Sequence, residues 1–375
     1  MNKENVLSMI SKMSKEDVID LARSTSDVEV LNILAENANY EVRCTVAENK
    51  NTPVELLAVL AQDEVWWVRC AVAENENTSI DVLAMLAQDE KWLVREQVAL
   101  NASTSAETLA VLAKDVDIDV RWAVAENKNI RVETLVMLAQ DEKWRVRSAV
   151  AGNINTPADV LAMLAKDEDI DVRCAVANNR NAPADVLAIL AKDEVIDVRR
   201  AVTKNENTSA DALAMLAKDV DIDVRCAIAE NKNTPVELLA VLAQDEDYWV
   251  RCAVAEKGST TADVLAVLAK DDVYEVRTEV AANGNTSANI LAMLAKDINF
   301  DVRASVAQNN NTPVETLVML ASDKEWWVRQ AVAGNKNAPI ETLVFLSKDN
   351  NEWVSEAAKE ALKERKEESK TSMER

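Results

Sequence analysis

The chain contains no histidine in 375 residues. That absence removes the usual general base, the commonest metal ligand and every histidine-containing catalytic triad. Glycine is nearly absent too, with only 4 residues, so other side chains must shape the turns. No apolar run is long enough to cross a bilayer, and the opening MNKENVLSMISKMSK lacks the apolar core of a signal peptide. The 5 cysteines, without an extracellular signal, point to a reducing cytosol and a cytoplasmic protein. Basic residues are outnumbered, 42 Lys+Arg against 65 Asp+Glu, for a net charge of −23. Such acidity argues against nucleic acid and anionic membranes as partners, because phosphate neutralisation supplies most of that affinity. A basic partner suits it better.

What the chain has in abundance is itself. The stretch NTPVELLAVLAQDEVWWVRCAVAEN from Asn51 returns from Asn233 as NTPVELLAVLAQDEDYWVRCAVAEK. Val-Arg recurs every 26 residues from Val42 to Val328 without insertion or deletion, and a further copy, Val354-Ser355, has lost its arginine. A strict period between 20 and 50 residues is the signature of a stacked repeat protein. Each unit buries its apolar side only against its neighbours, so the chain is expected to form one continuous stack rather than separate globular domains.

One unit reads as two helices. Thr52-Pro53-Val54-Glu55 predicts an N-cap threonine, proline at the first helical position and a capping-box glutamate, with the cap worth ~1 kcal/mol. The helix continues as LLAVLAQD, its only reliably polar positions are those of Glu55 and Gln62, and it is expected to be buried from several sides. The second, expected to be short, is VRCAVAEN, where Val68, Ala71, Val72 and Asn75 share a face. Asn75 has counterparts from Asn49 to Asn335, broken only by Lys257. A left-handed C-cap is the expected role for these asparagines.

The connector carries an Asp six residues before Arg, as in Asp63/Arg69 and Asp141/Arg147, and both end copies are broken, as Asn37/Arg43 and Asp349/Ser355. The pattern predicts a structural ladder of charged pairs linking units, since arginine's planar fork suits a carboxylate and a local site would not recur in every copy. Asp193 is therefore expected to matter for stability, and Asp349, with no arginine six residues on, to matter less.

Taken together, V-R-x-A-V-A-x-N-x-N-T-P-x-x-L-L-x-x-L-A-x-D resembles the leucine-rich repeat variant (LRV) family; VRSAVAGNINTPADVLAMLAKD from Val146 is close to its wording. The resemblance covers about Ser26 to Val354. It implies an all-α, right-handed α-solenoid, or superhelix, of about thirteen 26-residue two-helix LRV/HEAT-like repeats, and leaves room for a 3₁₀ portion in one helix. The Asp-to-Arg spacing is also similar to HEAT/armadillo-like helical repeats, whose second helix lines the concave surface. The organisation expected is an N-terminal helical cap over 1–25, the solenoid over 26–354, and a charged C-terminal cap helix and tail over 355–375.

Function is sought where the copies differ. The residue before each Val, the one two after it and the one six after it vary most, and the last two point away from the buried face. If the second helix is concave, these positions form one groove. Trp67, Trp249, Trp327 and Trp353 sit where other units carry charge, and Trp122 replaces Cys, Ser or Thr. Exposed tryptophans are enriched at binding hot spots; lying along a neighbour's connector is the alternative. Asp119, Asp171, Asp197 and Asp223 lie between them and could equally be N-caps. Trp66, Trp92, Trp144 and Trp326, two before the Val, are expected in the core. The cysteines read as small groove residues in units too far apart for easy disulfides.

The expectation is a non-enzymatic scaffold that holds a protein or peptide with a basic segment in its groove. No catalytic residue, metal or cofactor is expected, and the protein should be a monomer. The alternatives are a HEAT-like nucleic-acid-binding protein, disfavoured by charge, and a purely structural stacking module.

Overall fold

A computed structural model describes residues 3–373; the outermost residues of both expected caps lie outside them. Among the described residues all regular structure is α-helical, with no strand and no separate 3₁₀ segment. The chain divides into two units, one through Asn207 and one from Thr208. Each is a solenoid of helix pairs.

The pair Val54–Leu60 and Trp66–Glu74 shows how the repeat is written. The first helix has seven residues and the second nine, so the second is not the short one. Proline 53 is the N-cap rather than the first helical residue, and it makes no side-chain cap bond. Thr52 does not cap this helix: its hydroxyl donates to the Val46 carbonyl at 2.5 Å, satisfying an acceptor at the end of the preceding helix. Where serine takes the proline's place, as at Ser79, its hydroxyl does accept from the third helical N–H, that of Val82. The first helix ends with tight i→i−3 bonds from Gln62 N–H to Val59 O and Asp63 N–H to Leu60 O, a 3₁₀-like turn. The Asp63 carboxylate then accepts from Val65 N–H at 2.8 Å and turns the chain into the second helix.

No described residue has a positive φ, so the asparagines are not left-handed caps. Asn75 is extended, at φ −66 and ψ 125. Its side-chain nitrogen reaches back one repeat to donate to the Ala47 carbonyl at 2.6 Å and the Asn49 carbonyl at 3.2 Å, and its side-chain oxygen accepts from Asn77 N–H. The same bonds recur at Asn127, Asn179 and Asn309. These side chains are buried, and they satisfy buried carbonyls of the previous repeat. The paucity of glycine follows: the joint is built from hydrogen bonds rather than from unusual backbone.

On the opposite edge runs the charged ladder. Arg69 donates Nε and Nη2 to both oxygens of Asp89, twenty residues ahead, and Nη1 to the Asp63 carbonyl behind it. The side chains are almost buried, 12% and 7% exposed. The pairing recurs from Arg43–Asp63 to Arg173–Asp193 in the first unit and from Arg225–Asp245 to Arg329–Asp349 in the second. The direction explains the broken ends. Asn37 has no repeat arginine before it, and Ser355 no repeat aspartate after it.

Between the two edges lies the core: Leu57, Leu60, Val68, Val72 and Ala73 are buried, as are their counterparts along the stack. Second helices pack directly against second helices within each unit, whereas successive first helices touch far less. Small residues such as Ala47, Ala73 and Ala99, fully buried, allow that approach. First helices bury one face only: Val59, Val111, Val241 and Phe345 leave an apolar stripe on the outside.

Both ends continue the pattern. Ser14 forms a capping box with Asp17 at the start of Lys15–Ser24, and this helix supplies Ala22 and Thr25 carbonyls to Asn49. At the other end the last second helix and the expected cap are one helix, Glu352–Met373, without a frayed tail among the described residues. Its Arg365 donates to the carbonyls of Ala338, Asn335 and Lys336, taking the place of the asparagine that a further repeat would supply.

Candidate partner-binding surface

The second helices carry the variable residues on their solvent side. Trp67 is 53% exposed, Trp249 60%, Trp327 53% and Trp353 63%. Three of the four are braced. Trp66 stacks on Trp67 and Trp326 on Trp327, each with ring centroids 3.8 Å apart, and Tyr248 tilts against Trp249 at 4.9 Å. The position two before the Val is therefore not core. Trp66 and Trp326 are half-buried buttresses, while Trp92 and Trp144 are exposed. In three repeats the residue at this position supports the aromatic that follows it, and the WW and YW doublets are the visible sign of that support.

Trp122 is half-buried, with the Arg145 guanidinium 4.8 Å from its ring centroid. The same arginine pairs with Asp119 of the preceding repeat. These two candidate residues thus already hold a cation from within the chain. Asp171 and Asp197 are exposed. Neither Asp119 nor Asp171 is an N-cap: Asp117 and Asp169 cap those helices, and their side chains accept from the N–H groups of Asp119 and Asp171. Asp197 and Asp223 likewise fall inside the first turn, after Val195 and Asp221. Aspartates there favour the positive helix end while presenting charge outward.

In the second unit the surface deepens into a hollow of about 910 Å³. Three successive second helices line it, through Tyr274 and Glu275, through Phe300, Asp301 and Ala304, and through Trp327 and Gly334. The three variable positions converge here, as the helical wheel requires. Of the candidate residues only Trp327 lines this hollow; Tyr274, Phe300 and the acids Glu275, Glu279 and Asp301 were not singled out beforehand.

Burial pushes the carboxyls of Glu48, Glu96, Glu126 and Glu279, all on second helices, above their ordinary range, with acidic neighbours adding to it for all but Glu126. The cysteines are free and half-buried. Burial, then acidic neighbours, raise the thiols of Cys44 and Cys226 to about 11 and those of Cys70 and Cys252 to about 12, which holds them as thiols rather than nucleophilic thiolates. Among the described residues no group of three or more Cys, Asp or Glu side chains is placed to hold a metal, and no helix is long and apolar enough to cross a membrane.

Helix pairs stacked in register, tied by an asparagine edge and an Arg–Asp edge, define an α-solenoid of two-helix repeats. Three of its repeats, residues 40–65, 66–91 and 300–325, match the family model described as "Leucine rich repeat variant". A solved structure titled as a leucine-rich repeat variant with a novel repetitive structural motif is 25% identical, over 60% of this chain and 88% of that one, with a TM-score of 0.47. Importin beta is 11% identical over 96% of this chain and 52% of that one, with a TM-score of 0.30. An engineered protein is 18% identical over 97% and 98%, with a TM-score of 0.23. None of the curated proteins matches the sequence.

Proposed function

We propose that this protein is a non-enzymatic scaffold that holds a protein or peptide segment along the row of second helices. The observation that carries the reading is the set of exposed tryptophans braced by a neighbouring aromatic, Trp67, Trp249 and Trp327. A large apolar ring held in place and facing water costs little order on binding, and truncating such anchors commonly costs ~2 kcal/mol or more. Trp353 extends the set, and Asp171, Asp197 and Asp223 supply charge that steers a basic segment and sets its on-rate. The acidity of the same face speaks against nucleic acid. We further propose that the scaffold acts as a monomer in the cytoplasm and that its ends are capped by residues 1–25 and 355–375.

Affinity capture tests the reading, with wild type, Trp249→Ala, Trp327→Ala and the first-helix variant Val59→Asp as baits. A partner kept by wild type and Val59→Asp, and lost at least tenfold by the tryptophan variants, supports it. Loss with Val59→Asp alone, or a captured species that nuclease removes, overturns it.

A further inference from the structure

We propose that the hollow between Tyr274 and Gly334 receives an arginine side chain of the bound segment; this rests on the scaffold reading above. The chain itself shows how this surface holds a guanidinium. In the first unit Arg145, at the position before its Val, lies over the Trp122 ring and pairs with Asp119 one repeat back. The hollow has the same parts in a shifted arrangement. Asp301 stands in the register of Asp119. The ring has moved from the Trp122 position to Trp327, one helix along. Where Trp122 fills space in its own repeat, Ala304 leaves it open.

The lining of the hollow brings Glu275, Glu279 and Asp301 but no lysine or arginine. The aromatic wall is fixed, because Trp326 stacks behind Trp327. A planar guanidinium can lie on that ring and fork to a carboxylate at once, which an ammonium cannot do. The volume, about 910 Å³, accommodates the side chain with adjoining backbone.

The test is calorimetric titration of the full chain with a capped alanine-based nonapeptide carrying three arginines. The same peptide with citrulline, the neutral isostere, and one with lysine serve as controls. Gly334→Phe sets a ring at the wall of the hollow, at a position where an added Cβ meets nothing within 4 Å, and its thermal midpoint is compared with wild type to check the fold. The arginine peptide is expected to bind at least tenfold more tightly than the citrulline peptide and measurably more tightly than the lysine one. Gly334→Phe and Trp327→Ala should each weaken it at least fivefold, and the first-helix variant Val59→Asp by less than twofold. Equal binding of the citrulline peptide, no binding at all, or wild-type binding by Gly334→Phe overturns the proposal. If binding survives Gly334→Phe but is lost in Trp249→Ala, the groove stands without this pocket. Loss in Val59→Asp alone removes both.

Discussion

Arg173 grips both carboxylate oxygens of Asp193, at 2.6 and 3.1 Å, from one repeat to the next. Its remaining terminal nitrogen donates to the carbonyl of Asp167, the corresponding aspartate of its own repeat, at 2.8 Å. One side chain therefore sets both the connector within a repeat and the spacing between repeats.

Asp193→Ala leaves the buried Arg173 fork without its carboxylate and should destabilise the first unit by about 3 kcal/mol, in the range for one partner of a buried pair. The forward direction of the pairing reverses the expectation for Asp349. It accepts from Arg329 at 2.6 and 2.9 Å, so Asp349→Ala should cost about as much. Asn37→Ala, outside the ladder, should cost under ~1 kcal/mol. Chemical denaturation of the three variants decides; a small effect at Asp349 would contradict the pairing.

Asn127→Ala removes donors to the buried Ala99 and Asn101 carbonyls and the acceptor for Asn129 N–H. A loss of about 2–4 kcal/mol is expected from acceptors stranded out of water. Lys257 is the natural exception, donating to the Glu230 and Asn231 carbonyls, with its pKa lowered by burial. Lys257→Asn should therefore raise the thermal midpoint, and a fall would show that the lysine is adapted to its place.

Stability should pass through a maximum at mildly acidic pH. Burial pushes the ladder carboxyls such as Asp63 and Asp193 up, yet hydrogen bonds from the paired arginine and a backbone N–H outweigh it and hold them below the ordinary value. Their contribution is complete above about pH 3.9 and is lost as pH falls through the lowered folded value. Glu48, Glu96, Glu126 and Glu279 are shifted upward instead, so they take up protons more readily folded than unfolded. Acidification from neutrality toward about pH 4.5 stabilises the fold through them. Thermal midpoints against pH at constant ionic strength check this; a steady decline from pH 7 would refute it.

Arg365→Ala should expose the C-terminal end. The carbonyls of Asn335, Lys336 and Ala338 lose their donor, and terminal repeats depend on a cap. Amide exchange is expected to quicken in the last two repeats and to stay unchanged before residue 208. Uniform protection in the variant would assign the capping to the apolar contacts of the helix alone.

Much of the architecture was legible because the repeat is written without a slip: the period, the two helices, the ladder and the outward positions each follow from spacing along one chain. Local roles were read less well. Thr52, Asn75 and Asp119 are residues that single-helix rules assign to caps, and in the solenoid Thr52 and Asn75 serve the joints, while Asp119 lies inside its helix and pairs across repeats. The apolar type of Trp66 points to the core, though a neighbouring indole, Trp67, supports its ring at the surface instead.

The sequence by itself determined the helical repeat, its register and which side chains vary, because these depend on short-range periodicity. Only the tertiary structure decided that Arg69 reaches forward to Asp89, that Asn75 reaches back to Ala47, and that Ala304 opens a hollow beside Trp327. Those relationships join residues about one repeat apart in sequence, where the distance between them is set by how one helix pair packs on the next.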